Sequence, residues 1–204
     1  VKAWQHVRLE EWDHAAVVLD RVMRRPLRSL SDRAEAFLLL AAVTESQGRH
    51  DLAALIYETI VLRQIGAPSQ LHQARIALAA TKIHNQELTD AIDLLARLEQ
   101  AQMPDNLRAG LDLARLFQQV FMGQCADAVQ DLPRRREFFR RQLSTQAGFG
   151  YALLATALHY LGRRAEAAAL WGDATTLIAH AKLVKEYPCL APVAQAYPAT
   201  ECPL

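Results

Sequence analysis

Apolar residues recur along this chain at helical rather than strand spacing. The clearest stretch runs from Gly150 to Ile178. Tyr151, Leu154, Ala155 and Leu158 fall at i, i+3, i+4 and i+7, one face of a 3.6-residue period. After Gly162-Arg163-Arg164 the same spacing returns at Ala167, Leu170, Trp171 and Ala174. Gly162 marks the end of the first helix, since glycine enters the left-handed C-cap conformation without steric cost. The small Ala167 allows close approach of the second helix, and Trp171 one turn later fills the space beside it.

That order of turn residue, small residue and bulky residue repeats. It reads Gly48, Ala53, Tyr57 in SQGRHDLAALIYETI and Gly123, Ala128, Leu132 in MGQCADAVQDL. A copy without glycine reads Gln86, Ala91, Leu95, and the weakest reads Glu11, Ala16, Asp20, with a polar residue in the bulky place. The small anchors at 16, 53, 91, 128 and 167 stand 37, 38, 37 and 39 residues apart. A fixed period in this range is the signature of stacked repeats, none of which buries its apolar face alone.

On these residues the chain resembles the tetratricopeptide-repeat family, whose unit is a helix, a turn and a helix of about 34 residues. Units here are longer by roughly one helical turn, as in divergent members found in bacterial regulators. The resemblance implies an all-α fold: a right-handed superhelical solenoid of antiparallel helix pairs, about four to five repeats over residues 1–185. A Pro-rich tail, 186–204, is expected to pack on the array.

The elements follow in order. Trp4, Val7 and Leu9 mark the rear of a first helix. A second runs from Trp12 to Arg24, carries Ala15, Ala16, Leu19, Val22 and Met23, and is stopped by Pro26. Ser31-Asp32, with Glu35 beyond, predicts an N-cap before a helix from Ala36 to Gln47. Its partner runs from Asp51 to Gln64, ahead of Gly66-Ala67-Pro68. Ser69 caps the helix through Ile76, Leu78, Ala79 and Ile83, and Thr89 caps one that ends near Met103-Pro104. Asp105 starts a helix through Leu113, Leu116 and Phe117 to Met122. Ala126–Leu132 is cut short by Pro133. For 133–150 three readings stand open: a continuation, a connecting helix, or the start of a long helix into Gly148. Gly148-Phe149-Gly150 reads as a bend. After a turn or two through Leu183 and Val184, Pro188, Pro192 and Pro198 break any long helix. Leu190, Val193 and Tyr197 are apolar enough to lie against the array.

Composition narrows the functional classes. The chain has 204 residues, 51% hydrophobic and 22% charged, with a net charge of +1. That is ordinary for a folded domain and provides no global field to draw in nucleic acid. No apolar run reaches the length of a membrane span. The first residue is Val, which suggests a piece of a longer or processed protein, and the default compartment is a reduced cytoplasm. Cys125, Cys189 and Cys202 lack metal-like spacing, although Cys189 and Cys202 could pair in an oxidising compartment. No phosphate-binding loop, dinucleotide fingerprint or nucleophile elbow is present. No two of the seven histidines stand at i, i+4, and Glu10 with His14 reads as a pair of surface neighbours. No catalytic residue, metal or cofactor is expected.

Two basic clusters occur, Arg24, Arg25, Arg28 and Arg134, Arg135, Arg136, Arg140, Arg141. Phe138 and Phe139 interleave the second, which would suit nucleic acid or an acidic partner. A solvated helix face accounts for it equally simply, and is favoured by the neutral overall charge.

The resemblance places the first helix of each pair on a concave groove. Its lining would be Leu38, Ala42 and Glu45; Ile76, Ala80, Ile83 and His84; Leu113, Phe117, Val120 and Phe121; then Ala152, Thr156, His159 and Tyr160. Family members that clamp an acidic chaperone tail need Lys, Arg and Asn at these sites, which this chain lacks. An apolar lining suits instead the nonpolar face of a helix or an extended segment with hydrophobic anchors. The competing reading is that curvature or the tail buries these residues in the core. The function expected is a protein or peptide scaffold without catalysis. The alternative is a regulatory or sensor domain of a larger bacterial transcription regulator or signalling protein, binding an effector or a neighbouring domain.

Overall fold

The computed structural model describes residue 5 and residues 11–23 and 29–198, with the side chains of Val22 and Met23 left out. The expectations for Trp4, Val7 and Leu9, for Arg24 to Arg28 and for Cys202 lie outside the described residues. Among the described residues every regular element is helical, and helices pack on one another within each unit. The residues fall into two compact units that meet between Leu107 and Arg108.

The first unit holds α1 (Trp12–Met23), α2 (Leu30–Ser46), α3 (His50–Leu62), α4 (Pro68–His84) and α5 (Leu88–Glu99). Each packs on the next, and α2 also reaches α4. The core joins Ala34, Leu38, Ala53, Tyr57, Ile60, Leu71 and Leu78, with a second cluster of Ala15, Leu19, Leu39 and Val43. The cap of α2 is Ser29, whose hydroxyl accepts from the Asp32 N–H at 3.0 Å, two residues earlier than the Ser31-Asp32 signal. α4 starts on Pro68, and the Ala67 N–H donates to Gln70 Oε1 at 2.9 Å. Ser69 is therefore inside the helix. Leu88 likewise precedes Thr89 as the first residue of α5, and that helix ends at Glu99, short of Met103.

The second unit holds α6 (Asp105–Phe121, entering from the first turn onward), α7 (Cys125–Ala128), α8 (Leu132–Gln142), α9 (Ala147–Tyr160), α10 (Arg164–Leu177), α11 (His180–Glu186) and α12 (Ala191–Ala196). The segment left open at 133–150 is a helix of its own followed by a 3-10 turn at Ser144–Gln146. Pro133 does not stop a helix there. It sits at the start of α8, where its missing N–H leaves no bond unmade.

Gly148 and Gly150 form no bend either, for both lie inside α9. A Cβ on Gly150 would stand 2.5 Å from the Phe139 ring, and one on Gly148 would stand 2.9 Å from Ile178. They are glycines because α9 is crowded. Apart from Phe149, residues 147–158 are all buried, as expected of a helix apolar on every side.

The repeat is visible as one turn made four times. Gly48, Gln86, Gly123 and Gly162 have φ of 76°, 65°, 73° and 75°. The residue after each donates its N–H back five residues: Arg49 to Thr44 O, Glu87 to Lys82 O, Gln124 to Gln119 O and Arg163 to Leu158 O, at 2.8–3.1 Å. This is the bond that satisfies the last carbonyls of a helix ending in a left-handed residue. Five residues beyond each turn stand Ala53, Ala91, Ala128 and Ala167, all 0% exposed and each fourth in its helix.

The first copy needs correction by one residue. Fourth in α1 is Ala15, 0% exposed, whereas Ala16 is half-buried. The bulky partner is then Leu19, 1% exposed, rather than Asp20. The register slipped because Ala15 and Ala16 are adjacent and the polar Asp20 sits beside the true apolar position.

Candidate interaction surface

The residues expected to line a groove divide sharply by burial, and each unit places its own set. In the first, Leu38 and Ile83 belong to the core, while Ala42, Ile76 and Ala80 are half-buried. Glu45 serves the interior: Tyr57 Oη donates to its Oε2 at 3.0 Å and Thr81 Oγ1 to its Oε1 at 2.5 Å, tying α2, α3 and α4 together. His84 stacks on His50 with ring centroids 4.6 Å apart and planes within 10°. Burial, and secondarily the charge of His50, pulls its pKa down to about 4.

A further polar crosslink was not foreseen. Lys82 is buried on α4, and its Nζ meets Glu87 at 2.6 Å, Glu58 at 3.2 Å and Asp90 at 3.2 Å. Burial alone would push the ammonium pKa down, but the hydrogen bonds it donates to the three carboxylates outweigh that and the pKa rises.

In the second unit Phe117, Val120, Ala152 and Thr156 are buried, Leu113 and His159 half-buried, and Phe121 and Tyr160 exposed. The chain's own C-terminal segment covers part of this set. Tyr187 packs edge-on against Phe117 at 4.7 Å and against Phe149 at 5.4 Å. Tyr197 Oη lies 3.1 Å from His159 Nδ1. Leu190 and Val193 are 0% exposed. Residues 187–197 thus pack within the second unit and take up surface beside Phe117 and His159. Cys189 sits within this segment, and burial pushes its thiol pKa up to about 11.

Besides Leu177, the large apolar side chains left exposed among the described residues of this unit stand at the ends of two helices. Phe121 and Met122 precede the Gly123 turn and are 38% and 40% exposed. Tyr160 and Leu161 precede the Gly162 turn and are 56% and 42% exposed.

The basic cluster on α8 is largely engaged within the unit. Arg135 donates to Asp112 Oδ1 at 3.0 Å, Gln119 Oε1 at 3.2 Å and Ala128 O at 2.7 Å. Arg136 pairs with Asp173 at 2.6 Å, and Arg140 and Arg141 share Glu137. Phe139 is 0% exposed, so it packs the core and offers nothing to a base.

Between α6 and α8 lies an open cleft of about 630 Å³, lined by side chains of both helices and by Asp127, Gln130 and Asp131. Burial raises the pKa of Asp112 on its floor, against the opposing pull of Arg135. Sequence reading missed this cleft because the search for binding residues followed the apolar stripe of α6. Its signal was present in the polar stripe Arg108, Asp112, Arg115 and Gln119, at i, i+4, i+7 and i+11.

Among the described residues no group of three or more His, Cys, Asp or Glu is placed to hold a metal ion, and no helix is long and apolar enough to cross a membrane. Compared with known proteins, the chain matches no family model, no curated protein and no solved structure.

Proposed function

We propose that the chain is a non-catalytic protein-interaction module of the tetratricopeptide type, an array of antiparallel helix pairs in a right-handed solenoid. The recurring turn and the buried alanine beyond it support the repeat architecture. The partner is an amphipathic helix or an extended segment with apolar anchors, bound by the second unit.

The observation that carries this reading is the exposure of Phe121, Met122, Tyr160 and Leu161 at matching places before two equivalent turns. Adjacent large apolar side chains held in solvent at equivalent places support a binding role, and aromatic anchors dominate such contacts. Phe117 and Val120, on the same helix as Phe121, are buried and serve the core.

The test is affinity capture from the native source on immobilised protein, with wild type beside Phe121→Ser and Tyr160→Ser. Specific partners identified by mass spectrometry should fall at least about tenfold on each variant, the loss of one anchor worth somewhat over 1 kcal/mol. Retention of every partner by both variants would dismiss the reading.

A further inference from the structure

We propose that the cleft between α6 and α8 is a second binding site, and that it takes an extended peptide segment bearing two acidic side chains three residues apart. One wall carries Arg108 and Arg115 on α6, and the other carries Arg134 and Arg141 on α8. Within each wall the two arginines are seven residues apart, about 10 Å along a helix axis. An extended chain covers about that distance in three residues. Guanidinium groups bind carboxylates with two parallel hydrogen bonds, so paired arginines at this spacing match paired acids at that one.

The floor between the walls is fixed. Arg135 is held by Asp112, Gln119 and the Ala128 carbonyl, so it anchors α8 to α6 and keeps the cleft open. Midway along α8, between Arg134 and Arg141, Phe138 is half-buried and lines the cleft. It provides an apolar footing for a side chain lying between the two acids. Arg141 is already paired with Glu137, but that pair is exposed, and exposed pairs are readily exchanged for a ligand carboxylate. At about 630 Å³ the space is within the range of sites that hold small ligands or short peptide segments.

The charge pattern favours a sparsely acidic peptide over a nucleotide or nucleic acid. A nucleotide concentrates its charge at one point, whereas the arginines here are spread out and interleaved with Asp112, Asp127, Asp131 and Glu137. The chain's net charge of +1 gives no general attraction for a polyanion. None of Phe121, Met122, Tyr160 or Leu161 lines this cleft, so the proposal does not depend on the apolar surface.

The experiment is a polarisation titration at low salt with a fluorescein-labelled peptide containing two glutamates three residues apart and a leucine between them. Saturable binding is expected, weakened about tenfold when either Arg134 or Arg141 becomes Ala. It should be nearly lost in the double variant and in a peptide with glutamines for glutamates. Both arginines are exposed, and thermal melts matching wild type confirm that the variants fold. Tyr160→Ser should bind this peptide as wild type does, even if it loses the partners of the apolar surface. The proposal is overturned by an absence of saturable binding, by equal binding of the glutamine peptide or the double variant, or by displacement of the peptide by AMP or inorganic phosphate at a lower concentration than by unlabelled peptide.

Discussion

The two units make the same turn and use its approaches in opposite ways. In the first, α2 ends in Ser46-Gln47 and α4 in His84-Asn85; in the second, α6 ends in Phe121-Met122 and α9 in Tyr160-Leu161. The backbone beyond is the same in all four, with a residue at φ between 65° and 76° and a buried alanine five positions on. In the first unit one side chain of each pair turns inward: Ser46 Oγ donates to Val43 O at 2.7 Å and His84 stacks on His50. The second leaves aromatic and aliphatic side chains in solvent. Turn and alanine thus specify the fold, and the two residues before the turn are free to carry recognition.

The largest effect should come from the bulky residue four places after the alanine. Trp171 is 2% exposed and Leu95 is 0%, whereas Leu132, after the four-residue α7, is half-buried. Trp171→Ala should cost about 3–5 kcal/mol and Leu95→Ala about 2–5 kcal/mol, read from urea unfolding. Leu132→Ala should cost less than either. Trp171→Phe sharpens the point, because the buried Trp171 Nε1 has no hydrogen-bond partner. Its loss removes an unsatisfied donor and should offset part of the lost contact. An equal cost for Leu132 and Trp171 would mean that the copy after Gly123 is packed as fully as the copy after Gly162.

Acid separates the units next. His84 has a pKa of about 4 in the folded chain against an ordinary value of 6.5, first because it is buried and then because His50 is beside it. The unfolded chain therefore binds the extra proton between these values. Stability is intact above pH 6.5 and is lost as pH falls towards 4, by about 3 kcal/mol in full. His84→Gln should remove this component. The difference between wild type and variant in unfolding free energy, followed from pH 7 to 4, measures it with the carboxylates held in common. A difference that did not change with pH would place His84 in water rather than against His50.

The turn residues themselves should matter less. Nothing lies within 4 Å of a Cβ built on Gly48, Gly123 or Gly162, so substitution there meets only backbone strain. Gly162→Ala should cost about 1 kcal/mol. Gln86 already bears that strain at φ 65°, and Gln86→Gly should stabilise the first unit by up to about 1 kcal/mol, less the entropy that glycine adds to the unfolded chain. Differential scanning calorimetry would resolve both shifts.

Much of this was legible in the chain, for a definite reason. Glycine before a turn and alanine beyond it are single-residue requirements of backbone and close packing, and so they survive in sequence as a phase. The slip at Ala15 shows the limit, since two adjacent alanines leave phase alone undecided. Gly148 and Gly150 show another. A glycine demanded by Phe139 and Ile178, distant in sequence, looks the same as one demanded by a bend. The groove was harder still. Periodicity gives the apolar side of α6 but cannot tell Phe117 from Phe121, one turn apart on the same stripe. That distinction was made by Tyr187, seventy residues along the chain from Phe117.

Phe121, set beside Phe117, gives the smallest expected change in stability and the most informative one. Phe117 and Phe121 touch edge to face at 6.0 Å, yet one is 1% exposed and the other 38%. Phe117→Ala should destabilise the second unit by about 3–5 kcal/mol, since it opens a cavity beneath Tyr187. Phe121→Ser and Tyr160→Ser should each change unfolding free energy by about 0.5 kcal/mol or less, as substitutions on an open surface do. If these side chains exist for recognition, loss of partner should come without loss of fold. A Phe121→Ser protein as destabilised as Phe117→Ala would instead make Phe121 part of the core, and the contrast between the two units would reduce to packing.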